Sequence, residues 1–215
     1  MKVKEEKILK RLQDCIVNLD IDGIGKAAQD ALDAGIPPVK AVTEGMAKGM
    51  DIVGQKYEAK EYFLAELIMA GEVMKEGMKV LEPHLKGVDV RTLGKVAVGT
   101  VRGDLHDIGK NIVATLLGAA GFDVIDLSVD VTPEQFVEAV RTQKPKIIGM
   151  SALLTVTMPE MENVIKELKK AGLRDKVKII VGGAPLTEDY AKKIGADAYA
   201  PNAVAGVNMC KKWVA

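Results

Sequence analysis

Cysteine is scarce in this 215-residue chain. Cys15 and Cys210 stand far apart and outside any CxxC or Cys/His pattern, which argues against a disulfide framework or a structural zinc site and for a reducing compartment. Net charge is missing as well: thirty basic residues balance thirty acidic ones, so there is no positive field to gather nucleic acid or anionic lipid. No apolar run approaches the ~20 residues of a membrane span. The opening "MKVKEEKILKRLQD" spreads charges through its apolar positions, where a secretion signal needs an uninterrupted apolar core. The expectation is a cytoplasmic protein with neither nucleic acid nor membrane as partner. Histidine is limited to His84 and His106, so any imidazole chemistry falls on one of two residues.

What is abundant is apolar material, 48% of the residues, sufficient for one large or two small packed cores. From Lys4 to about Leu81 the apolar positions recur at three and four. Ile8, Leu12, Cys15 and Leu19 form one stripe, Ile24, Ala27 and Ala31 a second, Val39 to Val53 a third, and Leu64 to Leu81 a fourth. Breaks at "LDID", "AGIPP" and "YEAKEYF" separate four amphipathic helices, with Pro37 or Pro38 suited to a first turn. Short connections favour an antiparallel four-helix bundle. The segment "EPHLKGVDVRTLG", residues 82–94, loses the period and reads as a linker. The domains expected are therefore residues 1–86 and 87–215.

Beyond the linker, strand-length apolar runs alternate with helical stretches. The runs are "KVAVGT", "DVIDLS", "KIIGMSAL", "KVKIIVGG" and "ADAYA"; the helices lie near 108–120, 133–143, 159–171 and 187–194. Such βαβ units predict a Rossmann-like, flavodoxin-like sheet of five parallel strands. These folds bind ligands at the carboxyl ends of their strands, where "RGDLHDIG", "SALLTVTMPE" and "GGAPLT" would converge.

The stretch "VGTVRGDLHDIGKNIV", residues 98–113, has the outline of a phosphate loop but not its spacing. Five residues lie between Gly103 and Gly109, and Asn111 follows Lys110, where the P-loop needs four residues and then Ser or Thr. If the chain leaves its strand still extended, Asp104 and His106 point the same way and Leu105 points into the protein. A metal-binding imidazole commonly gives its other N–H to a carboxylate, and Asp104 is placed to be that partner. Gly109 would let a bulky ligand approach, and Asp107 suits a helix cap. A loop histidine merely bonded to its neighbour fits the same residues.

"DLHDIGKNIV" resembles the Asp-x-His-x-x-Gly signature of cobalamin-binding proteins, and "SALLTVT" and "GGAPLT" follow in the family's order. In the helical half, "GMDIVGQKYEAKEYFLAEL" resembles the cap of cobalamin-dependent methionine synthase and of the corrinoid proteins of anaerobic methyltransferase systems. The similarity spans nearly the whole chain.

The resemblance implies that His106 is the lower axial ligand to the cobalt of cobalamin, with Asp104 its partner and Thr157 the hydroxyl completing the relay, where methionine synthase has a serine. Gly103, Leu105, Asp107, Ile108 and Gly109 would lie against the corrinoid beside them. Ser151, Leu153 and Thr155 would line the slot for the displaced nucleotide tail, with Gly182, Gly183, Ala184 and Tyr199 around it. Tyr57 and Leu64 would cover the upper face. The implied function is a methyl carrier, not catalytic alone, that binds the cofactor base-off and His-on and alternates between methylcobalamin and the Co(I) form. Its partners would be a substrate-specific methyltransferase, a second methyltransferase serving tetrahydrofolate or a thiol, and a reductive activase.

Other readings use the same residues. A cobalamin-dependent sensor would need an output module, and no basic helix-turn-helix segment is visible. An adenosylcobalamin mutase subunit shares the Asp-x-His loop but has no place for the helical cap. Ser151 in "GMSAL" has the start of a hydrolase elbow, but Leu153 stands where its last Gly belongs and no histidine follows. Gly182 and Gly183 also fit a plain strand end, Thr157 a helix start, His84 a solvated loop, Tyr199 a core aromatic, and the ten methionines adaptable core packing.

Overall fold

A computed structural model describes residues 2–85 and 92–214. The chain divides into two compact units, residues 1–91 with 119–121, and residues 92–118 with 122–215. The domain boundary expected between residues 86 and 87 lies outside the described residues.

The first unit is helical. α1 (Lys2–Val17) and α2 (Ile21–Asp33) are followed by α3 (Pro38–Lys40), which runs through a π-helical turn (Ala41–Met46) into α4 (Ala47–Glu58); α5 (Leu64–Leu81) closes the unit. These are the four rods the periodicity predicts, the third carrying the π turn. Asp20 starts α2 by accepting the Gly23 N–H at 2.9 Å, and Pro38 occupies the first turn of α3. Glu66 reaches back to the Phe63 N–H at 2.8 Å to start α5. The buried stripes include Leu12, Ile16, Ile24, Met46, Val53, Leu67 and Leu81, each worth about 1.5–3 kcal/mol when fully removed from water. Glycines bring the helices close: a Cβ on Gly49 would lie 2.7 Å from Ile16 Cβ, and one on Gly77 would lie 2.6 Å from Met46 Cε. The Tyr62 hydroxyl donates to the Val17 carbonyl at 2.6 Å, tying the α4–α5 turn to the end of α1. Met46, Met50 and Met74 are core residues as expected, whereas Met69, expected to pack likewise, is 44% exposed.

The second unit is a five-stranded sheet in the order β2-β1-β3-β4-β5, all neighbours parallel. Its elements are β1 (Lys95–Thr100), α6 (Ile108–Ala119), β2 (Asp123–Asp126), α7 (Pro133–Gln143), β3 (Ile147–Ser151), α8 (Met158–Lys170), β4 (Lys178–Gly182), α9 (Glu188–Ile194), β5 (Ala198–Ala200) and α10 (Ala203–Val214). β1 is buried along all but its first residue, which is why it reads as an unbroken apolar run. Phe136, Ile148, Met161, Ile165 and Ile179 belong to one core cluster. Gly99 makes room for Phe136, since a Cβ there would lie 2.9 Å from its ring.

The helix α10 was not anticipated. Its Gly206 approaches the sheet so closely that a Cβ would lie 3.2 Å from Ala200 Cβ. The strand order reverses between β1 and β3, and the loops leaving those two strands flank the crevice where this fold binds ligands. The loop after β1 contains Asp104 and His106; the loop after β3 runs from Ala152 to Thr157.

Candidate functional site

The loop after β1 turns sharply rather than continuing the strand. Gly103 sits at φ +80°, a conformation that L side chains rarely adopt, and the Asp104 N–H closes a turn onto the Val101 carbonyl at 3.1 Å. The period-two expectation fails as a result. Asp104 is completely buried, the His106 side chain is 50% exposed, and Leu105, expected to face inward, is itself 73% exposed. Only the imidazole of the Asp-His pair is presented to a ligand.

The buried carboxylate is surrounded by donors. Oδ1 of Asp104 accepts from His106 Nδ1 at 2.7 Å and from the His106 N–H at 3.1 Å. Oδ2 accepts from the Leu153 N–H at 2.7 Å, the Leu154 N–H at 3.2 Å and the Thr157 hydroxyl at 2.8 Å. Burial alone would push this carboxyl up; the Leu153 N–H, both His106 donors and Thr157 outweigh it and hold Asp104 well below the usual carboxylate range. An ionised carboxylate only accepts, so the bond to His106 requires the proton on Nδ1. In the neutral ring Nε2 then keeps a free lone pair, the state a metal ligand needs.

Thr157 stands at the N-cap position of α8 but makes no capping bond. Its hydroxyl goes to Asp104 instead, with the Leu154 carbonyl also within 2.9 Å. Of the two readings of this threonine, helix start and relay partner, the structure brings it to Asp104.

The rim around His106 is apolar. Among the described residues of the α/β unit, the large hydrophobic side chains left exposed are Leu105, Ile108, Leu153, Leu154 and Val156. All belong to the two crevice loops or to the first residue of α6, a concentration of the kind that binding surfaces carry. Leu154 and Val156 were not singled out in the sequence, although an apolar run continuing past a strand's end was the available signal. A Cβ on Gly109 would meet nothing within 4 Å. Asp107 precedes α6, where its carbonyl takes the Asn111 N–H at 2.8 Å and its carboxylate the Asn111 side chain at 3.0 Å.

The Gly-Lys pair that gives this segment its phosphate-loop outline has another use. Lys110 is only 4% exposed, and its ammonium lies 2.7 and 2.8 Å from the two oxygens of Asp126 and 2.6 Å from Asn111 Oδ1. The charge is neutralised inside the fold and is not aimed at a phosphate.

At the carboxyl ends of β3, β4 and β5, Ser151 pairs in register with Gly182, and Gly182 with Ala200. Gly183 has φ +137°, and a Cβ there would lie 1.9 Å from the Ala152 carbonyl oxygen, so the β4 exit hugs the β3 exit and no side chain fits between. Ala184 and Thr155 are exposed, Ser151 is half-buried, and Tyr199 is half-buried against the core cluster. In the helical unit Tyr57 is half-buried on the last turn of α4, and Leu64 is 45% exposed beside the exposed Phe63, Ile68 and Met69. His84 is exposed in a short 3₁₀ turn, Glu82–His84.

The fold is thus a flavodoxin-like α/β domain that presents one imidazole, paired with a buried carboxylate, between two loops that carry exposed apolar side chains. Residues 94–208 match the B12 binding domain, and residues 8–82 match a second family of the same description. Trimethylamine corrinoid protein 1 of Methanosarcina acetivorans is 43% identical over 209 residues, which is 96% of this chain and 97% of that one. A solved cobalamin-binding protein from Desulfitobacterium hafniense DCB-2 superposes with a TM-score of 0.81 at 34% identity, covering 96% of this chain and 98% of that one. The methanol:cobalamin methyltransferase complex MtaBC from Methanosarcina barkeri contains a chain that superposes with a TM-score of 0.87 at 28% identity, covering 97% of this chain and 80% of that one.

This chain belongs to the B12-binding-domain family of corrinoid proteins, and its cofactor is a corrinoid of the cobalamin type. The residues present suit that group: His106 would offer Nε2 to the metal, the exposed apolar side chains of the two loops would receive the macrocycle, and Gly109 leaves open space beside them.

Proposed function

We propose that the protein is a methyl carrier that holds its corrinoid base-off and His-on, with His106 as the axial ligand. The observation that carries this reading is the pairing of His106 Nδ1 with the buried Asp104 carboxylate at 2.7 Å, which leaves Nε2 as the presented donor. The corrinoid supplies a cobalt that accepts and gives up a methyl group, while the protein orients, shields and tunes it. Ser151, Leu153, Thr155, Gly182, Gly183, Ala184 and Tyr199 form the slot for the displaced nucleotide tail. Residues 1–86 act as a cap, with Tyr57 and Leu64 over the upper face, and residues 87–215 as the corrinoid domain.

The side chains of the pocket would hold one geometry whether the axial bond is made or released: His106 Nε2 would be on cobalt or free, while Nδ1–H stays on the Asp104 carboxylate. Thr157 and the Leu153 and Leu154 amides keep the carboxylate in place through both states.

A relative named for trimethylamine and a structural counterpart within a methyltransferase complex support protein partners that deliver and remove the methyl group. One is a substrate:corrinoid methyltransferase, the second passes the methyl to tetrahydrofolate or a thiol, and a reductive activase restores the cofactor. Purified protein carrying reduced corrinoid should stay unmethylated in trimethylamine or methanol until a matching methyltransferase is added. Rapid methylation by the pure chain would refute the carrier reading.

A further inference from the structure

The loop after β2 makes an unusual approach to the loop bearing Asp104 and His106. Two of its non-glycine residues take left-handed backbone conformations, Ser128 at φ 73° and Asp130 at φ 55°. That region is open to Asp at some cost and persists where surrounding bonds select it. At Asp130 the bonds are reciprocal. Its carboxylate accepts the Gly103 N–H at 2.7 Å, and its own N–H donates to the Asp104 carbonyl at 3.1 Å. The pair brackets the peptide between Gly103 and Asp104 from one side chain and one backbone.

Further bonds extend the same fastening. The Thr100 N–H donates to the Ser128 carbonyl at 3.0 Å, the Val131 N–H donates to the Thr100 carbonyl at 2.9 Å, and the buried Thr100 hydroxyl donates to the His106 carbonyl at 2.9 Å. Asp126 begins the loop by accepting the Ser128 N–H at 2.8 Å. The backbone is thus held on both sides of Asp104, and Asp130 is the only one of these side chains that grips the left-handed turn at Gly103.

We infer that Asp130 is a positioning residue for the axial ligand. It fixes the turn at Gly103, the turn sends the Asp104 carboxylate into its ring of donors, and that carboxylate aims the His106 imidazole. Asp130 acts through backbone and not through contact with the cofactor. The inference rests on the reading of His106 as the cobalt ligand and extends it to a loop that no sequence motif marked.

Two substitutions in the full-length protein separate side chain from conformation. Asp130→Gly keeps the left-handed backbone and deletes the carboxylate; Asp130→Asn keeps an acceptor oxygen. In cofactor-free protein, the Gly103 amide should exchange with solvent roughly ten-fold faster in Asp130→Gly, the loss expected for a hydrogen bond to a charged acceptor, and near the wild-type rate in Asp130→Asn. After loading with cobalamin and reduction to Co(II), the fraction of the EPR signal carrying histidine nitrogen splitting should fall in Asp130→Gly and recover in Asp130→Asn. Unchanged Gly103 exchange in Asp130→Gly, or full splitting retained there, would overturn the proposal. If wild-type protein itself lacks the splitting, the ligand reading of His106 fails, and the exchange rates alone then decide whether Asp130 fixes the loop.

Discussion

The Thr157 hydroxyl donates to Asp104 Oδ2 at 2.8 Å although Thr157 occupies the N-cap position of α8, where a threonine side chain ordinarily caps the helix. The hydroxyl serves the buried carboxylate and not the helix, so its removal should affect Asp104 before it affects α8. Thr157→Val, which keeps the shape and deletes the donor, should cost about 1–3 kcal/mol in denaturant unfolding. Thr157→Ser should stay within about 1 kcal/mol of wild type. Equal losses in the two variants would mean that packing, not the hydrogen bond, is what Thr157 contributes.

Asp104→Asn is not a mild change in this setting. The amide nitrogen would face donors already aimed at Oδ1 or Oδ2, so we expect destabilisation of about 2–4 kcal/mol and corrinoid affinity lower by about 10- to 100-fold. Equilibrium unfolding of the cofactor-free protein and titration with cobalamin measure the two effects separately.

Acid should find the same groups. Asp104 and Asp126 are both held below the ordinary carboxylate range; burial opposes ionisation at each, and their hydrogen bonds overcome it, with Lys110 the main donor at Asp126. A depressed carboxylate contributes stability that is in place above its unfolded value, about 4, and is lost as pH falls through the folded one. Stability should therefore be flat above about pH 5 and decline steeply below about pH 4. Asp126→Asn should show a shallower decline over that acidic range. An identical slope in the variant would remove Asp126 from the account.

Gly109 and Gly183 separate fold from ligand. Gly183→Ala puts a methyl group 1.9 Å from the Ala152 oxygen at φ +137°, and it should disrupt the paired loop exits in thermal melts. Gly109→Ala, in the first turn of α6 with nothing within 4 Å, should hold or raise stability by up to about 1 kcal/mol. It should weaken corrinoid uptake, because the open space is where the cofactor is expected. Normal uptake by Gly109→Ala would place the cofactor elsewhere.

The cap assignment predicts a third separation. Leu64 is 45% exposed, so Leu64→Ala should change stability by less than about 1 kcal/mol. Combined with Tyr57→Ala, it should speed light-driven loss of the methyl group from loaded protein while the histidine signal persists. Unchanged photolysis would show that these two side chains do not cover the upper face.

Much of this architecture was legible in the residues. β1 matched its apolar run end to end because a parallel strand buried on both faces has no alternation to obscure it. β2 stopped at Asp126, short of the expected "DVIDLS", because Ser128 turns left-handed and Asp126 takes its N–H. α10 has no counterpart in the sequence reading; its buried face is Val204, Gly206, Val207 and Cys210, with Gly206 set against Ala200. Leu105 faces outward, against the period-two expectation, because that period applies only while the strand lasts and the chain bends at Gly103. That Asp104 would be buried had no local sign: the donors that make burial tolerable come from Leu153, Leu154 and Thr157, about fifty residues later.

The central claim is that a protein histidine, His106, is the lower ligand of the corrinoid cobalt. Protein grown with ¹⁵N-histidine and loaded with unlabelled cobalamin, then reduced to Co(II), tests it directly by EPR. The chain holds two histidines, His84 and His106, so the label is confined, and a His84→Gln variant leaves His106 as its sole carrier. The account predicts that each cobalt line, a triplet with ¹⁴N, becomes a doublet in both labelled proteins and loses the histidine splitting in His106→Ala. A triplet that survives ¹⁵N-histidine labelling would assign the lower position to the cofactor's own base and contradict the account.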